Sequence, residues 1–187
     1  MSNTRKLVMI AILSALSFVL LFFNFPIIPG ADFLKIDFSI IPILFALVLF
    51  DLKSGLWVLL IRSLLKLILD NQGANTYIGL PMNIVALGLF LVSFAIIWKK
   101  HRGTVSYIIA SIVATIVLTV AMVFLNFIYA IPLYAKFANF DIGKFIGIGK
   151  YLFGMVVPFN IVEGIILSVA FYIVYLACRS LLERHKQ

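Results

Sequence analysis

Asn160 and Glu163 stand one helical turn apart inside an otherwise apolar stretch, residues 158–167. An acidic side chain at the centre of a membrane helix costs roughly 2.5–3.5 kcal/mol on insertion scales. The i, i+3 spacing places both side chains on one face of a helix. Such groups persist when they face a protein interior, a partner or a polar ligand. The pair therefore predicts a polar contact within the hydrophobic part of the protein.

Three more polar residues occupy similar positions in other apolar segments. Asn126 and Tyr129 lie one turn apart, and Asn83 follows Pro81 at the start of an apolar run. A single Asn in a membrane helix is explained by a hydrogen bond between helices. Together, four polar residues at similar depth, with aromatic neighbours, favour a ligand pocket, since such pockets combine apolar walls with a few placed polar groups. The four are Asn83, Asn126, Asn160 and Glu163.

A charged row follows one face of the third apolar segment. Arg62, Lys66 and Asp70 are spaced i, i+4 and i+8. The spacing predicts a salt bridge between Lys66 and Asp70 near the membrane surface. Arg62 lies nearer the middle of the segment, which indicates a contact with a carboxylate, a lipid headgroup or another subunit.

Composition indicates a membrane protein. Hydrophobic residues make up 64% of the chain and charged residues 12%, with a mean hydropathy of +1.20. A soluble domain of this size could not hide so much apolar surface. The net charge of +8 comes mainly from residues between the apolar runs, which is typical of membrane orientation and argues against nucleic-acid binding. The single Cys178 excludes an internal disulfide.

The apolar runs predict an all-α, polytopic membrane protein in which residues 1–187 form one domain. We expect six transmembrane helices, because each run approaches the length needed to cross a bilayer. The predicted spans are residues 7–25, 38–50, 56–69, 82–98, 105–131 and 151–178.

The loops predict that both termini lie in the cytoplasm, because Lys and Arg accumulate in cytoplasmic loops. With six spans, nine basic residues fall on the side of the termini and four on the other. The nine are Arg5, Lys6, Lys53, Lys99, Lys100, Arg102, Arg179, Arg184 and Lys186; the four are Lys35, Lys136, Lys144 and Lys150.

The first outward loop, residues 26–37, contains an alternating segment. Leu34, Lys35, Ile36 and Asp37 alternate apolar and polar side chains, which predicts a short strand or an ordered lid. A simple connector is the alternative. In the first span, Ala11 and Ala15, with Ser14 beside them, are spaced for close approach of another helix. That helix could belong to this chain or to a partner.

Enzyme motifs are absent from the sequence. It contains no phosphate-binding loop of the Walker type, and His101 and His185 lie in basic segments that offer no acid–base pair or metal site. The sequence therefore predicts a protein that is not an enzyme and has no cofactor.

The order of these features resembles the substrate-binding S components of energy-coupling factor (ECF) vitamin transporters. The resemblance covers the first outward loop, the Ala11/Ala15 spacing and the six spans. The segments around Asn126 and Asn160 look like those of the riboflavin-specific type, although some relatives of that type have Lys where this chain has Glu163.

The resemblance implies that riboflavin is the transported ligand, bound by outward loops and the later spans. The implied binding residues are Lys35, Asp37, Asn83, Asn126, Tyr129, Asn160 and Glu163. It also implies docking, through Ala11, Ser14 and Ala15, to a membrane-embedded coupling protein joined to two cytoplasmic ATPases. The expected location is the plasma membrane of a bacterium, within the lipid bilayer.

Two alternatives remain open from the sequence. The chain could be an S component for another vitamin, such as thiamine, because S components share a scaffold and differ in their pockets. It could also be a non-transporting membrane scaffold in which Asn and Glu only join helices.

Overall fold

The computed structural model describes the backbone of residues 3–28, 34–98 and 103–184, with side chains up to Cys178. The basic residues Lys99, Lys100 and Arg102, both histidines and the loop residues 29–33 lie outside the described residues or side chains. The fold is helical apart from one two-stranded hairpin. Its helices are α1 (Asn3–Leu20), α2 (Ile40–Leu49), α3 (Leu52–Leu69), α4 (Ala74–Trp98), α5 (Thr104–Leu125), α6 (Ile131–Phe137), α7 (Ile142–Phe145), α8 (Ile148–Tyr151) and α9 (Val157–Arg184).

Four continuous helical segments are long and apolar enough to cross a membrane: Asn3–Leu20, Ala74–Trp98, Thr104–Phe137 and Ile148–Cys178. Helix α2 is apolar but short. Helix α3 is as long as α1, but it carries the three cationic residues Lys53, Arg62 and Lys66. The length and composition of these described helices thus fit a membrane protein, while the count of six spans stays a prediction.

The first predicted span ends earlier than expected. Helix α1 stops at Leu20, and β1 (Asn24–Pro26) pairs antiparallel with β2 (Lys35–Asp37). Pro26 has no N–H for a helical bond, and the Asn24 side chain donates to the Leu21 carbonyl at 2.8 Å, which closes the turn. The prediction that the first span continues to Phe25 is therefore wrong, whereas the predicted strand at Lys35–Asp37 is confirmed.

Two predicted outward loops are partly helical. Helix α4 begins at Ala74 instead of residue 82 and contains Pro81. The loop predicted over residues 132–150 contains α6, α7 and α8. Pro132 follows the π-helical turn Asn126–Ala130 inside the continuous helical segment Thr104–Phe137, and its missing N–H removes one helical bond there. Pro81 and Pro132, read from the sequence as breakers, therefore both lie inside helices.

Most helices pack against their neighbours in sequence, α1 also packs on α3, and α9 packs against α5 and α2. Gly164 of α9 meets Thr115 of α5 so closely that an added Cβ would lie 2.4 Å from the Thr115 hydroxyl. Only glycine permits this approach. At the end of the bundle where α4 finishes, aromatic rings fill the core: Phe94, Trp98, Tyr107, Phe171 and Tyr175.

Candidate functional site

A cavity of about 570 Å³, whose wall mixes apolar side chains with charged and amide ones, lies beneath the hairpin, at the end of the bundle where α4 begins. This volume is in the range typical of small-molecule sites. Its wall comes from the hairpin, α3, α4 and the segment between α5 and α9. The lining residues used below are Asn24, Lys35, Asp37, Lys66, Gln72, Asn75, Gly79, Tyr134, Phe140 and Tyr151.

The hairpin places Lys35 and Asp37 in this wall. Neighbouring strand residues point to opposite faces, so fully buried Ile36 anchors β2 to the core and its two neighbours share the other face. An Asp37 carboxylate oxygen accepts from the Ser39 backbone N–H at 2.8 Å. These contacts fix one anionic and one cationic group beside the cavity.

A smaller cavity of about 190 Å³ adjoins the first and shares Lys66, Gln72 and Asn75 with it. Asn83 lies in its wall, and its side-chain oxygen accepts from Arg62 Nη2 at 2.7 Å. Asn83 is thus held next to the larger cavity by a buried arginine.

Asn126 reaches the larger cavity through a tyrosine. The helix widens over Asn126–Ala130 into a π-helical turn, a feature frequent at functional sites. The Tyr151 hydroxyl donates to Asn126 Oδ1 at 2.6 Å, and Asn126 Nδ2 donates to the Met122 carbonyl at 2.8 Å. Because Tyr151 lines the cavity, Asn126 stands directly behind its wall.

Asn160 is fully buried, and a second π-helical turn, Leu152–Val156, ends just before α9. Asn160 Nδ2 donates to the Val156 carbonyl at 2.7 Å, but Asn160 Oδ1 has no hydrogen-bond partner among the described residues. A buried acceptor left unpaired is costly. This oxygen is therefore available to a donor that enters the site.

Glu163 is half-buried on α9, one turn beyond Asn160. The Asp37 carboxylate is one of the charges near Glu163. Neither Asn160 nor Glu163 lies in the wall of the larger cavity.

Tyr129 points toward α4, where its hydroxyl donates to the Tyr77 carbonyl at 3.4 Å. It does not line the larger cavity. Of the seven predicted binding residues, the structure brings Lys35 and Asp37 into the larger cavity and Asn83 and Asn126 next to it. Ligand contact by any of the seven stays a prediction.

Several cavity residues were missed from the sequence. Gln72 fell in a predicted loop, where the structure also places it, and Asn75 fell in the same loop because the start of α4 was placed too late. Tyr134 and Phe140 fell in the other long loop. The signal that could have found them is aromatic and amide side chains next to Pro and Gly in an otherwise apolar chain.

Lys66 and Asp70 form the predicted salt bridge at the end of α3, which confirms that interpretation. The Lys66 ammonium holds the pKa of Asp70 below its usual value, chiefly through the hydrogen bond between them. Lys66 therefore stays in the cavity wall as a paired cation.

The small residues of α1 divide between two faces. Ala11 and Ala15 are exposed, whereas Ser14 is completely buried and its hydroxyl donates to the Ile10 carbonyl at 2.7 Å. Ser14 faces the interior of this chain and, in this arrangement, cannot touch a partner together with Ala11 and Ala15. The placement of Ser14 on the docking face needs this correction, while docking by Ala11 and Ala15 stays a prediction.

A groove of about 540 Å³ between α5 and α9 is as large as the cavity beneath the hairpin. Its wall is almost entirely apolar and includes the exposed side chains Ile112, Ile116, Ile165 and Ile173. It lacks the charged and amide groups that would orient a polar ligand. We therefore assign the candidate site to the hairpin cavity. No group of side chains suited to hold a metal ion occurs among the described residues.

Comparison with known proteins gives a consistent result. Residues 5–175 match the family described as "ECF transporter, substrate-specific component". The riboflavin transporter RibU of Streptococcus thermophilus is 63% identical over 182 residues, covering 97% of this chain and 86% of that protein. RibU of Leuconostoc mesenteroides is 46% identical over 187 residues, covering 98% and 95%.

A solved structure, "Structure and mechanism of the S component of a bacterial ECF transporter", matches with a TM-score of 0.80 at 32% sequence identity. The match covers 97% of this chain and 99% of that chain. Fold, length and sequence agree, and the chain belongs to the family of substrate-specific components of ECF transporters, which are transport proteins and not enzymes.

Proposed function

We propose that this chain is the riboflavin-binding subunit of an ECF-type uptake transporter. The observation that carries the proposal is the 63% identity to a riboflavin transporter along nearly the whole chain. The cavity chemistry supports it. Tyr134, Phe140 and Tyr151 offer aromatic surface for a flat ring system, while Lys66, Gln72 and Asn75 offer hydrogen-bond partners for a hydroxylated tail.

The two buried asparagines complete the proposed site. Asn presents both a donor and an acceptor, which matches the mixed edge of an isoalloxazine ring. Asn160 Oδ1 has an unused acceptor position, and Asn126 holds Tyr151 at the cavity wall. We include Lys35, Asp37, Asn83, Tyr129 and Glu163 in the proposed binding region, with Glu163 facing the Asp37 side.

In the proposed transport cycle, this chain binds riboflavin and other proteins hydrolyse ATP. This chain captures riboflavin from outside and then docks on a membrane-embedded coupling protein joined to two cytoplasmic ATPases. ATP hydrolysis there drives release into the cell, which agrees with the lack of a phosphate-binding loop in this sequence. The exposed face around Ala11 and Ala15 is the proposed docking surface.

We propose that residues 1–187 form a single domain with six transmembrane helices in the plasma membrane of a bacterium. The proposal counts α2 and α3 as spans, since α1 packs on both of them. Both termini lie in the cytoplasm in this arrangement. Reporter fusions at the two termini test it, and a terminus that reports from the outside would contradict it.

The hairpin is the proposed lid of the cavity. Strand β2 carries Lys35 and Asp37 in the cavity wall, and its three-residue pairing with β1 is marginal by itself. We expect riboflavin to protect the loop between the strands from protease. Equal cleavage with and without riboflavin would argue against a lid.

The absorbance spectrum of the purified protein tests the proposed function. Protein from cells grown with riboflavin should be yellow and should release riboflavin on denaturation, identified by chromatography. Release of thiamine would indicate an S component for another vitamin. Protein that neither carries nor rebinds any vitamin would contradict the proposal.

A further inference from the structure

Arg62 is a buried cation in the middle of α3, with 1% of its surface exposed. Arg62 Nη1 donates to Ser39 Oγ at 3.2 Å, and Nη2 donates to Asn83 Oδ1 at 2.7 Å. A charged group removed from water persists only where partners compensate it. These two hydrogen bonds therefore fix where the guanidinium, Ser39 and Asn83 lie relative to one another.

The first partner belongs to the hairpin side of the site. Ser39 follows β2 closely, and its backbone N–H donates to the Asp37 carboxylate at 2.8 Å. Its carbonyl accepts from Ser17 Oγ of α1 at 2.6 Å. The charge of Asp37 also attracts Arg62. Through Ser39, Arg62 is thus linked to the strand that carries the cavity residue Asp37.

The second partner belongs to the opposite wall. Asn83 lies on α4 one turn after Gly79 and two turns after Asn75, and both of these residues line the larger cavity. Arg62 itself does not line that cavity, but with Asn83 it lines the smaller cavity that adjoins it. Its contacts therefore bridge the hairpin wall and the α4 wall from behind.

We propose that Arg62 is a positioning residue for ligand binding, which holds β2 and α4 at the separation that the ligand requires. The proposal rests on the proposed riboflavin-binding function. A site held in one arrangement before binding loses less freedom on binding, which raises affinity. Arg62 acts in this way without touching the ligand.

The geometry explains why this position carries arginine. A guanidinium is a planar fork whose two terminal nitrogens reach different acceptors at fixed angles, whereas a lysine ammonium is a single point. Arg62 Nε has no hydrogen-bond partner among the described residues. The two bridging bonds and Asp37 are thus what compensates the buried charge, and Lys at this position cannot reproduce both bonds.

The binding test uses Arg62→Met and Arg62→Lys. Both variants should raise the riboflavin dissociation constant by about tenfold or more, as loss of a charged hydrogen bond does. The matched control is Ser63→Ala, because Ser63 is the next buried polar residue on α3 and its hydroxyl donates only to the Leu59 carbonyl at 2.7 Å. Ser63→Ala should leave the dissociation constant unchanged.

A second measurement, made without ligand, reports the distance between the hairpin and α4. Spin labels at Phe25 in β1 and Tyr77 in α4, two exposed sites, are introduced into a Cys178→Ala background, since Cys178 is the only cysteine. The distance between the labels should have one narrow distribution in the parent and in Ser63→Ala. It should broaden in Arg62→Lys.

A narrow distribution and a normal dissociation constant in Arg62→Lys, with only a lower Tm, would overturn the proposal and leave Arg62 a merely stabilising residue. If Arg62→Met does not fold, Arg62→Lys retains the charge and decides the question. If the parent protein binds no riboflavin, the proposed function fails, while the label distances still decide whether Arg62 positions the two walls.

Discussion

At one end of the helices, Trp98, Tyr107 and Phe171 pack ring against ring, whereas the other end encloses a cavity with charged and amide side chains in its wall. The centroids of Trp98 and Tyr107 lie 5.3 Å apart at an interplanar angle of 85°, an edge-to-face arrangement that adds to the stability gained by packing. The cavity end instead presents polar groups such as Asp37 and Asn75 to an open space. The difference indicates that one end supplies stability and the other retains groups for a ligand.

The largest effect that we expect concerns transport and leaves both ends intact. Ala15→Trp should abolish riboflavin uptake in cells, because a bulky side chain on the exposed face of α1 keeps a partner helix at a distance and forfeits van der Waals contacts. The purified variant should still bind riboflavin, measured by quenching of flavin fluorescence. Ala15→Ser is the matched control for uptake. Lost binding in Ala15→Trp would mean that the position serves internal packing, and normal uptake would mean that it is no docking face.

The aromatic end should show the largest effect on stability. Phe171 is completely buried and contacts five other rings. Phe171→Ala should lower the free energy of unfolding by about 3–5 kcal/mol and leave the riboflavin dissociation constant of the folded protein unchanged. Denaturant-induced unfolding in detergent measures the free energy of unfolding.

Phe124→Ala is the matched control, because Phe124 is 61% exposed on α5. Its effect on unfolding should stay within about 0.5 kcal/mol. A weakened riboflavin affinity in Phe171→Ala without loss of stability would remove the separation between the two ends.

A substitution at the cavity end should instead weaken riboflavin binding and leave stability unchanged. Asn160→Leu should weaken riboflavin binding by about 1–3 kcal/mol, because a buried ligand group would lose its partner. Its stability without ligand should not fall, since the unpaired Oδ1 disappears. Asn71→Leu, at an exposed residue outside the cavity, is the control. Unchanged affinity in both Asn160→Leu and Asn126→Leu would remove the basis for the proposed site.

The smallest effect concerns a salt bridge at the aromatic end. The Lys6 ammonium lies 2.7 Å from an Asp51 carboxylate oxygen and, with the Ser54 hydrogen bonds, lowers the pKa of Asp51 to about 2. The lowered pKa means that the contribution is present above the ordinary pKa of Asp and is lost as the pH falls toward 2. Both partners are partly exposed, so the contribution is at most about 1 kcal/mol. As the pH falls toward 2, the free energy of unfolding of Asp51→Asn should therefore decrease less than that of the parent protein. The same pH dependence in both proteins would contradict a contribution from Asp51.

The sequence predicts the helical membrane fold well, because long apolar runs have few alternatives in a bilayer. Helix ends are predicted less well. Pro81 lies inside α4 and Pro132 lies inside the continuous helical segment Thr104–Phe137, although proline is usually read as a breaker. Whether a proline ends a helix depends on neighbouring contacts that a sequence does not display.

The site was predictable in part. Lys35 and Asp37 follow from alternation in the strand, and the buried state of Asn160 follows from its apolar surroundings. The partners of Arg62 were not predictable, since Ser39 and Asn83 are distant along the chain and meet only through packing. Ser14 and Ala15 are neighbours in sequence but lie on different faces of α1, because a helix turns by about 100° per residue.

A calorimetric titration of riboflavin into the ligand-free purified protein measures whether the chain binds this vitamin. We expect saturable binding of one riboflavin per chain, and weaker binding when Asn126 and Asn160 are both replaced by Leu while the protein stays folded. No saturable heat with the intact protein, or the same affinity in the double variant, would contradict a flavin site beneath the hairpin.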